Sequence, residues 1–170
     1  QVEIQNVIDR ARSELEDRTY LRGINFSMQG SCTVKAQEDD IYIAVIRVLQ
    51  WLAQRKIETT PEIEPQITVR CLENNGCSQV IFEDRSKRLP EKLREQLFLP
   101  FSVSVISTNE AKLRAPGLYL PLYLAKILVE EKYGGWLDDR SDEIDGNIGH
   151  RLVMRFDSSQ KSNQVLAVGN

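Results

Sequence analysis

Between Val2 and Asp17, apolar side chains recur at helical spacing as Ile4, Val7, Ile8, Ala11 and Leu15, with charged residues between them. The pattern predicts a helix over that span. Ile24 to Met28 alternates apolar and polar positions, as a half-buried strand does, and Cys32 to Ala36 reads as a second short strand after a turn at Gly30. A stripe of Ile41, Ala44, Val45, Val48, Leu49 and Leu52 predicts a second helix. Asp39 or Asp40 would cap it, and it must stop before Thr59-Thr60-Pro61.

The middle of the chain changes period. Ile67, Val69 and Cys71 alternate with polar residues, Asn74-Asn75-Gly76 signals a turn, and Val80-Ile81-Phe82 leads into Glu83-Asp84. The two runs predict an antiparallel hairpin. A short helix is expected over Pro90–Phe98, opening on its proline. Ser102 to Pro116 has no period and reads as a loop. A longer helix follows over about Leu120–Lys132 and ends at Gly134-Gly135. Trp136-Leu137 and Leu152, Met154, Phe156 predict two last strands, with the acidic stretch Asp138–Gly146 as the loop between them. Helices and antiparallel pairs thus mix without regular strand–helix alternation. That order predicts an α+β two-layer sandwich: a mixed, largely antiparallel sheet with helices on one face. Residues 1–157 form the expected domain, and 158–170 a polar tail.

Composition narrows the function classes. The 170 residues are 41% hydrophobic and 28% charged with a net charge of -3, values of a globular chain. A sequence pI near 5.3 speaks against a strongly basic nucleic-acid binder. No run approaches the ~18 apolar residues of a membrane span, and the N-terminus lacks a signal-peptide core. Starting at Gln and not Met, the sequence reads as a piece of a longer chain. Three cysteines, Cys32, Cys71 and Cys77, without a CxxC pair, read as buried structural thiols in a reducing cytosol. With His150 as the single histidine, a multi-histidine zinc site is impossible.

Three segments, taken in order, resemble the ATP-binding catalytic domain of sensor histidine kinases, the family shared with gyrase, Hsp90 and MutL. Leu97-Phe-Leu-Pro-Phe101 is similar to the family's phenylalanine box. Leu120-Pro-Leu-Tyr-Leu-Ala-Lys126, with Val129-Glu130 and Gly134-Gly135, is similar to L-G-L-x-L-A-K-x-x-V-E-x-x-G-G. Val80-Ile-Phe-Glu-Asp84 with Leu89-Pro90 is similar to the strand entering D-x-G-x-G-I-P. The resemblance spans nearly the whole chain and implies an ATP-binding site.

The departures from that pattern fall on the nucleotide-binding positions. The family's helix pattern N-L-L-x-N-A-x-K aligns with Arg47 to Gln54, so its metal-ligating asparagine becomes Trp51, its first asparagine Arg47 and its lysine Gln54. Indole has no lone pair for a hard cation, and Mg²⁺ requires oxygen ligands. In the first glycine box the adenine-reading aspartate is kept as Asp84, while the glycines become Ser86 and Arg88. In the second box Gly117 survives, but Tyr119 and Pro121 replace later positions; Pro121 has no N–H to offer a phosphate. Gly149-His150-Arg151 aligns with a third glycine box.

Each residue also has a plainer reading. Asp84 reads adenine or pairs with Arg85 or Arg88. Arg85, Lys87, Arg88, Lys92 and Arg94 form an anion-binding or acidic-partner patch, or a solvated face. Trp51 plugs the vacated pocket or lies in the core. His150 reads as structural or surface, since the family's phosphorylated histidine lies on a separate preceding helix. Asp138, Asp139, Asp142 and Glu143 lack ordered Ca²⁺-ligand spacing and read as a solvated loop.

Three functions remain open. The first is a degenerate histidine-kinase-type domain in the cytoplasm, a regulatory or docking module with little or no Mg-ATP binding. No cofactor is then expected. Its partners would be signalling proteins: an upstream dimerisation domain and a response regulator, with no nucleic acid and no membrane insertion. The second is a divergent working kinase using Mg-ATP to phosphorylate a histidine in the preceding domain. The third is a nucleotide sensor that binds ATP without Mg²⁺. The substitutions at the lost positions add bulk, which predicts that Trp51, Tyr119, Arg88 and Pro121 fill the former site, beneath a lid formed by Ser102–Pro116.

Overall fold

Val2 and Glu3 form β1 before α1 (Ile4–Asp17) begins. Periodicity alone extends the helix back to Val2, but these two residues pair antiparallel with β3 (Thr33–Val34), a long-range choice that local spacing does not reveal. The structure is a computed structural model and describes residues 1–55, 63–99 and 120–157. The expected lid Ser102–Pro116 and the polar tail 158–170 lie outside the described residues.

The main sheet contains β2 (Asn25–Gln29), β4 (Gln66–Asn74), β5 (Cys77–Asp84), β6 (Trp136–Asp139) and β7 (Arg151–Asp157). Its order is β2-β4-β5-β7-β6; β2 and β4 run parallel, and every other pair is antiparallel. The hairpin turn falls on Asn75-Gly76, both at positive φ (48° and 76°), which suits the right-handed twist of the flanking strands.

Strand alternation sorts the side chains. Ile67, Val69, Cys71, Val80, Phe82, Leu137, Leu152 and Met154 turn to one face and are buried. The helices cover that face. α1 contributes Ile4, Val7, Ile8, Ala11 and Leu15; α2 (Glu38–Gln54) contributes the predicted stripe plus Trp51 and Ala53. α4 (Leu120–Ile127), continued by a wider π turn at Leu128–Lys132, packs beside α2 through Leu122, Ala125 and Val129. On the opposite face Arg70, Glu83 and Arg151 form ion pairs at 2.9 and 2.6 Å. The architecture is therefore the α+β two-layer sandwich expected from the element order.

Some boundaries differ from the sequence reading. The cap of α2 is Gln37, whose side chain makes no capping bond; Asp39 and Asp40 lie in the first turn, where their charge suits the helix N-terminus. Asp40 is recruited by a neighbour: it accepts the Tyr133 hydroxyl and pairs with Lys132 at 2.6 Å. α3 is only Glu91–Arg94, with Pro90 as its cap. Among the described residues no helix is long and apolar enough to cross a membrane.

Candidate functional site: a closed polar knot at the end of the sheet

The alternation that buries Val80 and Phe82 carries on to Asp84 and turns its carboxylate into the protein. In β7, Leu152, Met154 and Phe156 face the core, and the same parity run backwards buries His150. The two residues meet where the strands end. Asp84 N–H donates to the His150 carbonyl at 3.1 Å, and His150 N–H donates to Asp84 Oδ1 at 2.8 Å. A carboxylate placed there must find donors within the protein, because burying it unpaired costs several kcal/mol or more.

Those donors come from Ser86, just after β5, and from His150, just before β7. Ser86 Oγ–H donates to Asp84 Oδ2 at 2.7 Å, and Ser86 N–H reaches Oδ1 at 3.3 Å. His150 Nδ1 lies 3.1 Å from Oδ1. Its other ring nitrogen, Nε2, accepts the Leu89 N–H at 2.9 Å and so carries no proton. The imidazole is therefore the neutral Nδ1–H tautomer, donating to the carboxylate. Burial pushes the Asp84 pKa up, but the hydrogen bonds from His150 and Ser86 outweigh it and hold the carboxyl below its ordinary value. Both carboxylate oxygens are thus engaged by the protein itself.

A second layer holds these donors in place. The Trp51 ring stands edge-on to His150, with centroids 5.4 Å apart at 84°. The fully buried Trp51 lies beneath the Arg55 guanidinium, 5.7 Å from its ring centre, and Arg55 Nη2 donates to the Lys87 carbonyl at 2.9 Å. Arg88 turns away from Asp84, donating to the carbonyls of Gly149 and Ile144 at 3.0 and 2.8 Å. Gly149 closes the circuit, its N–H bonding to the Ser86 carbonyl at 2.8 Å. At φ 92°, with a hypothetical Cβ only 2.9 Å from the Asp84 carbonyl oxygen, position 149 suits only glycine.

Among the described residues, Ile24, Leu52, Pro65, Gln66, Ile67 and Ser86 line a shallow recess beside Asp84 with about 10 Å³ of room, enough for one water. On α2, Arg47 bonds Gln50 at 3.3 Å. Arg47 Nε, Trp51 Nε1 and Gln54 Oε1 are buried and have no hydrogen-bond partner among the described residues. Gly117 and Tyr119 lie outside the described residues, as does the side chain of Pro121. No cluster of three His, Cys, Asp or Glu that could hold a metal occurs among the described residues.

The structure therefore brings together Asp84, Ser86 and Trp51 of the sequence-derived set, places Arg88 behind them, and sets Arg47 and Gln54 along the same helix. Asp84 pairs with neither Arg85 nor Arg88. The basic cluster also separates: Arg94 is buried between Asp139 and Asp142 at 2.8 and 2.6 Å, while Arg85, Lys87 and Lys92 are exposed. Asp139 and Asp142 are thus ion-pair partners within the predicted acidic loop. The residue that sequence reasoning undervalued is His150. The signal was present, since it shares core parity with Leu152, Met154 and Phe156.

The five-stranded mixed sheet, with helices on one face, is the fold of the sensor histidine kinase catalytic domain. The chain is similar to the mycobacterial sensor histidine kinase MprB, with a TM-score of 0.73 at 21% identity over 92% of this chain and 96% of that one. It is similar to the histidine kinase AdeS of Acinetobacter baumannii, with a TM-score of 0.66 at 12% identity over 93% and 66% of the two chains. The histidine kinase ThkA, solved in complex with the response regulator TrrA, gives 0.66 at 15% identity over 93% of this chain and 42% of that one. No protein-family model and no curated protein matches the sequence.

Proposed function

We propose that this domain is a non-catalytic form of the histidine kinase catalytic module, a regulatory or docking unit of a cytoplasmic two-component pathway. One observation carries the reading: the Asp84 carboxylate, the group that the family resemblance assigns to adenine, is engaged by Ser86 and His150. An incoming adenine amino group would have to break bonds to a charged acceptor, each worth ~1.5–3 kcal/mol. The ~10 Å³ recess and the buried Trp51 indole at the metal-ligand position support the same conclusion. On this reading the described residues at the family's nucleotide positions do not fit Mg-ATP.

A module of this kind acts through its surface. ThkA, which shares the fold, has been solved with a response regulator. A response regulator and an upstream dimerisation domain are accordingly the partners assigned to this chain.

Calorimetric titration with ATP, with and without Mg²⁺, tests the proposal. It predicts no saturable heat in either case. Low-micromolar binding with Mg²⁺ would favour a working kinase, and binding only without Mg²⁺ a nucleotide sensor. Trp51→Asn alone should leave Mg-ATP binding absent, because Ser86 and His150 still hold Asp84.

A further inference from the structure

The two edges of the main sheet, β6 and β2, are built differently. β6 is guarded. Leu137 turns its backbone groups to the outer side, and α4 with its π turn supplies a partner for each. Leu137 N–H donates to Glu130 Oε1 at 3.2 Å, and Lys126 Nζ donates to the Leu137 carbonyl at 2.9 Å. Asp138 and Asp139 add charge to this short strand. Shortness, charge and cover are the usual means of keeping an edge from pairing with another chain. β2 has no such guard. Its residues, Asn25-Phe26-Ser27-Met28-Gln29, include no charge and no proline. Asn25 N–H donates to the Pro65 carbonyl, so by the two-residue period Asn25, Ser27 and Gln29 turn their backbone groups to β4. Phe26 and Met28 therefore turn theirs outward, and among the described residues nothing bonds them. Their half-buried side chains lie in register with Ile67 and Val69, on the core face.

We propose that the β2 edge binds a second copy of this chain, β2 running antiparallel to β2 of the partner copy about a two-fold axis at Ser27. In that register the strand is complementary to itself. Phe26 lies opposite Met28 of the partner copy, and Met28 opposite its Phe26. These are the residues with free outward groups, and each such pair exchanges both its N–H···O=C bonds. On the core face a phenyl ring meets a thioether, a favourable cross-strand contact. On the other face Asn25 meets Gln29, amide to amide. The two Ser27 hydroxyls, each 3.0 Å from its own Thr68 hydroxyl, meet on the axis. The charges beside the strand are already paired. Arg12, 5.2 Å over the Phe26 ring, bonds Glu16 at 2.7 Å, and Arg70, in register with Gln29, bonds Glu83 at 2.9 Å. A foreign strand would gain the backbone bonds but not this side-chain matching. The two-fold contact consumes both β2 edges and leaves only the guarded β6 edges outside, so assembly stops at two copies. The inference does not use the state of Asp84.

Sedimentation equilibrium of the 170-residue chain over a dilution series, without nucleotide, tests the proposal. A reversible monomer–dimer equilibrium is expected. Met28→Lys gives the edge a charge of the kind that guarded edges carry, and should raise the dimer dissociation constant roughly tenfold or more. Asp138→Asn, on the guarded edge, should leave it unchanged. Ser27→Cys, made with Cys77→Ser, places two thiols across the axis. The Cα spacing of ~4.5 Å in such a non-hydrogen-bonded pair is within disulfide reach. Mild oxidation with copper–phenanthroline should then give a dimer linked through position 27, located by peptide mapping. If Met28→Lys does not fold, this cross-link decides. A wild-type chain that sediments as a monomer at every concentration would overturn the proposal and leave the edge to a strand of another protein. A dimer that folded Met28→Lys leaves intact, or a folded Ser27→Cys variant that does not cross-link, would overturn it equally.

Discussion

Two neighbouring stretches of one sheet face solve the problem of burial in opposite ways. In the middle of the sheet, Val80, Phe82, Leu152 and Met154 meet the helices through apolar groups alone. One row further along the same two strands, Asp84 and His150 are as deeply buried but polar. The apolar stretch needs only volume and shape, so many sequences could fill it. The polar row needs every donor in its place: Ser86, the Leu89 N–H, the His150 N–H, and Gly149 to let the chain pass. Burial alone therefore does not mark a site. The mark is a buried charge whose partners come from the ends of two different strands.

Truncation separates the two stretches. Phe82→Ala, in the apolar stretch, should cost about 4 kcal/mol by leaving a cavity, with the wild-type dependence of stability on pH retained. Asp84→Ala should cost about 3 kcal/mol, because it leaves the His150 Nδ1–H and two backbone N–H groups buried without an acceptor. Urea denaturation of both variants measures the difference. An Asp84→Ala cost below about 1 kcal/mol would mean that the knot is not closed as described.

The pH dependence sharpens the contrast. The Asp84 pKa is lowered in the folded state. Its contribution is therefore fully present above the unfolded carboxyl value near ~4 and is lost as pH falls from there through the folded value. Wild-type and Phe82→Ala proteins should lose this increment below about pH 4, while Asp84→Asn should lack it. Identical acid slopes for all three would remove Asp84 from the account.

Smaller effects test the outer layer. Arg88→Ala removes three hydrogen bonds to carbonyls of residues 144, 148 and 149 and should cost about 1–2 kcal/mol. Arg85→Ala, at an exposed position beside it, should stay within ~0.5 kcal/mol. Equal losses at the two positions would show that position in the loop, and not the carbonyl contacts, sets the cost.

Much of this contrast was legible in the chain itself. The stripes of α1 and α2, the hairpin at Asn75-Gly76 and the alternation in β5 and β7 predicted the elements because burial imposes those periods directly. The apolar core followed from the same periods. The knot was only half legible. By resemblance to the family motifs, Asp84 stood out as a kept position and Ser86 and Trp51 as departures, but their mutual contacts depend on β5 and β7 being neighbours in the sheet. That adjacency joins residues 84 and 150 and is not encoded locally. β1 was missed for the same reason, since Val2 and Glu3 are strand residues only because Val34 and Thr33 lie opposite them. The role of Arg88 was misjudged because its composition suggested a basic patch, whereas carbonyls from the 144–149 loop engage it.

His150 is the only histidine in the chain, so one spectrum reads the centre of the knot directly. Imidazole ¹⁵N correlation spectroscopy near neutral pH should show a single neutral ring, protonated at Nδ1 and unprotonated at Nε2, unchanged when Mg-ATP is added. A ring protonated at Nε2, averaging between tautomers, or shifting on addition of Mg-ATP would contradict the proposal that Asp84 is held by the protein and closed to nucleotide.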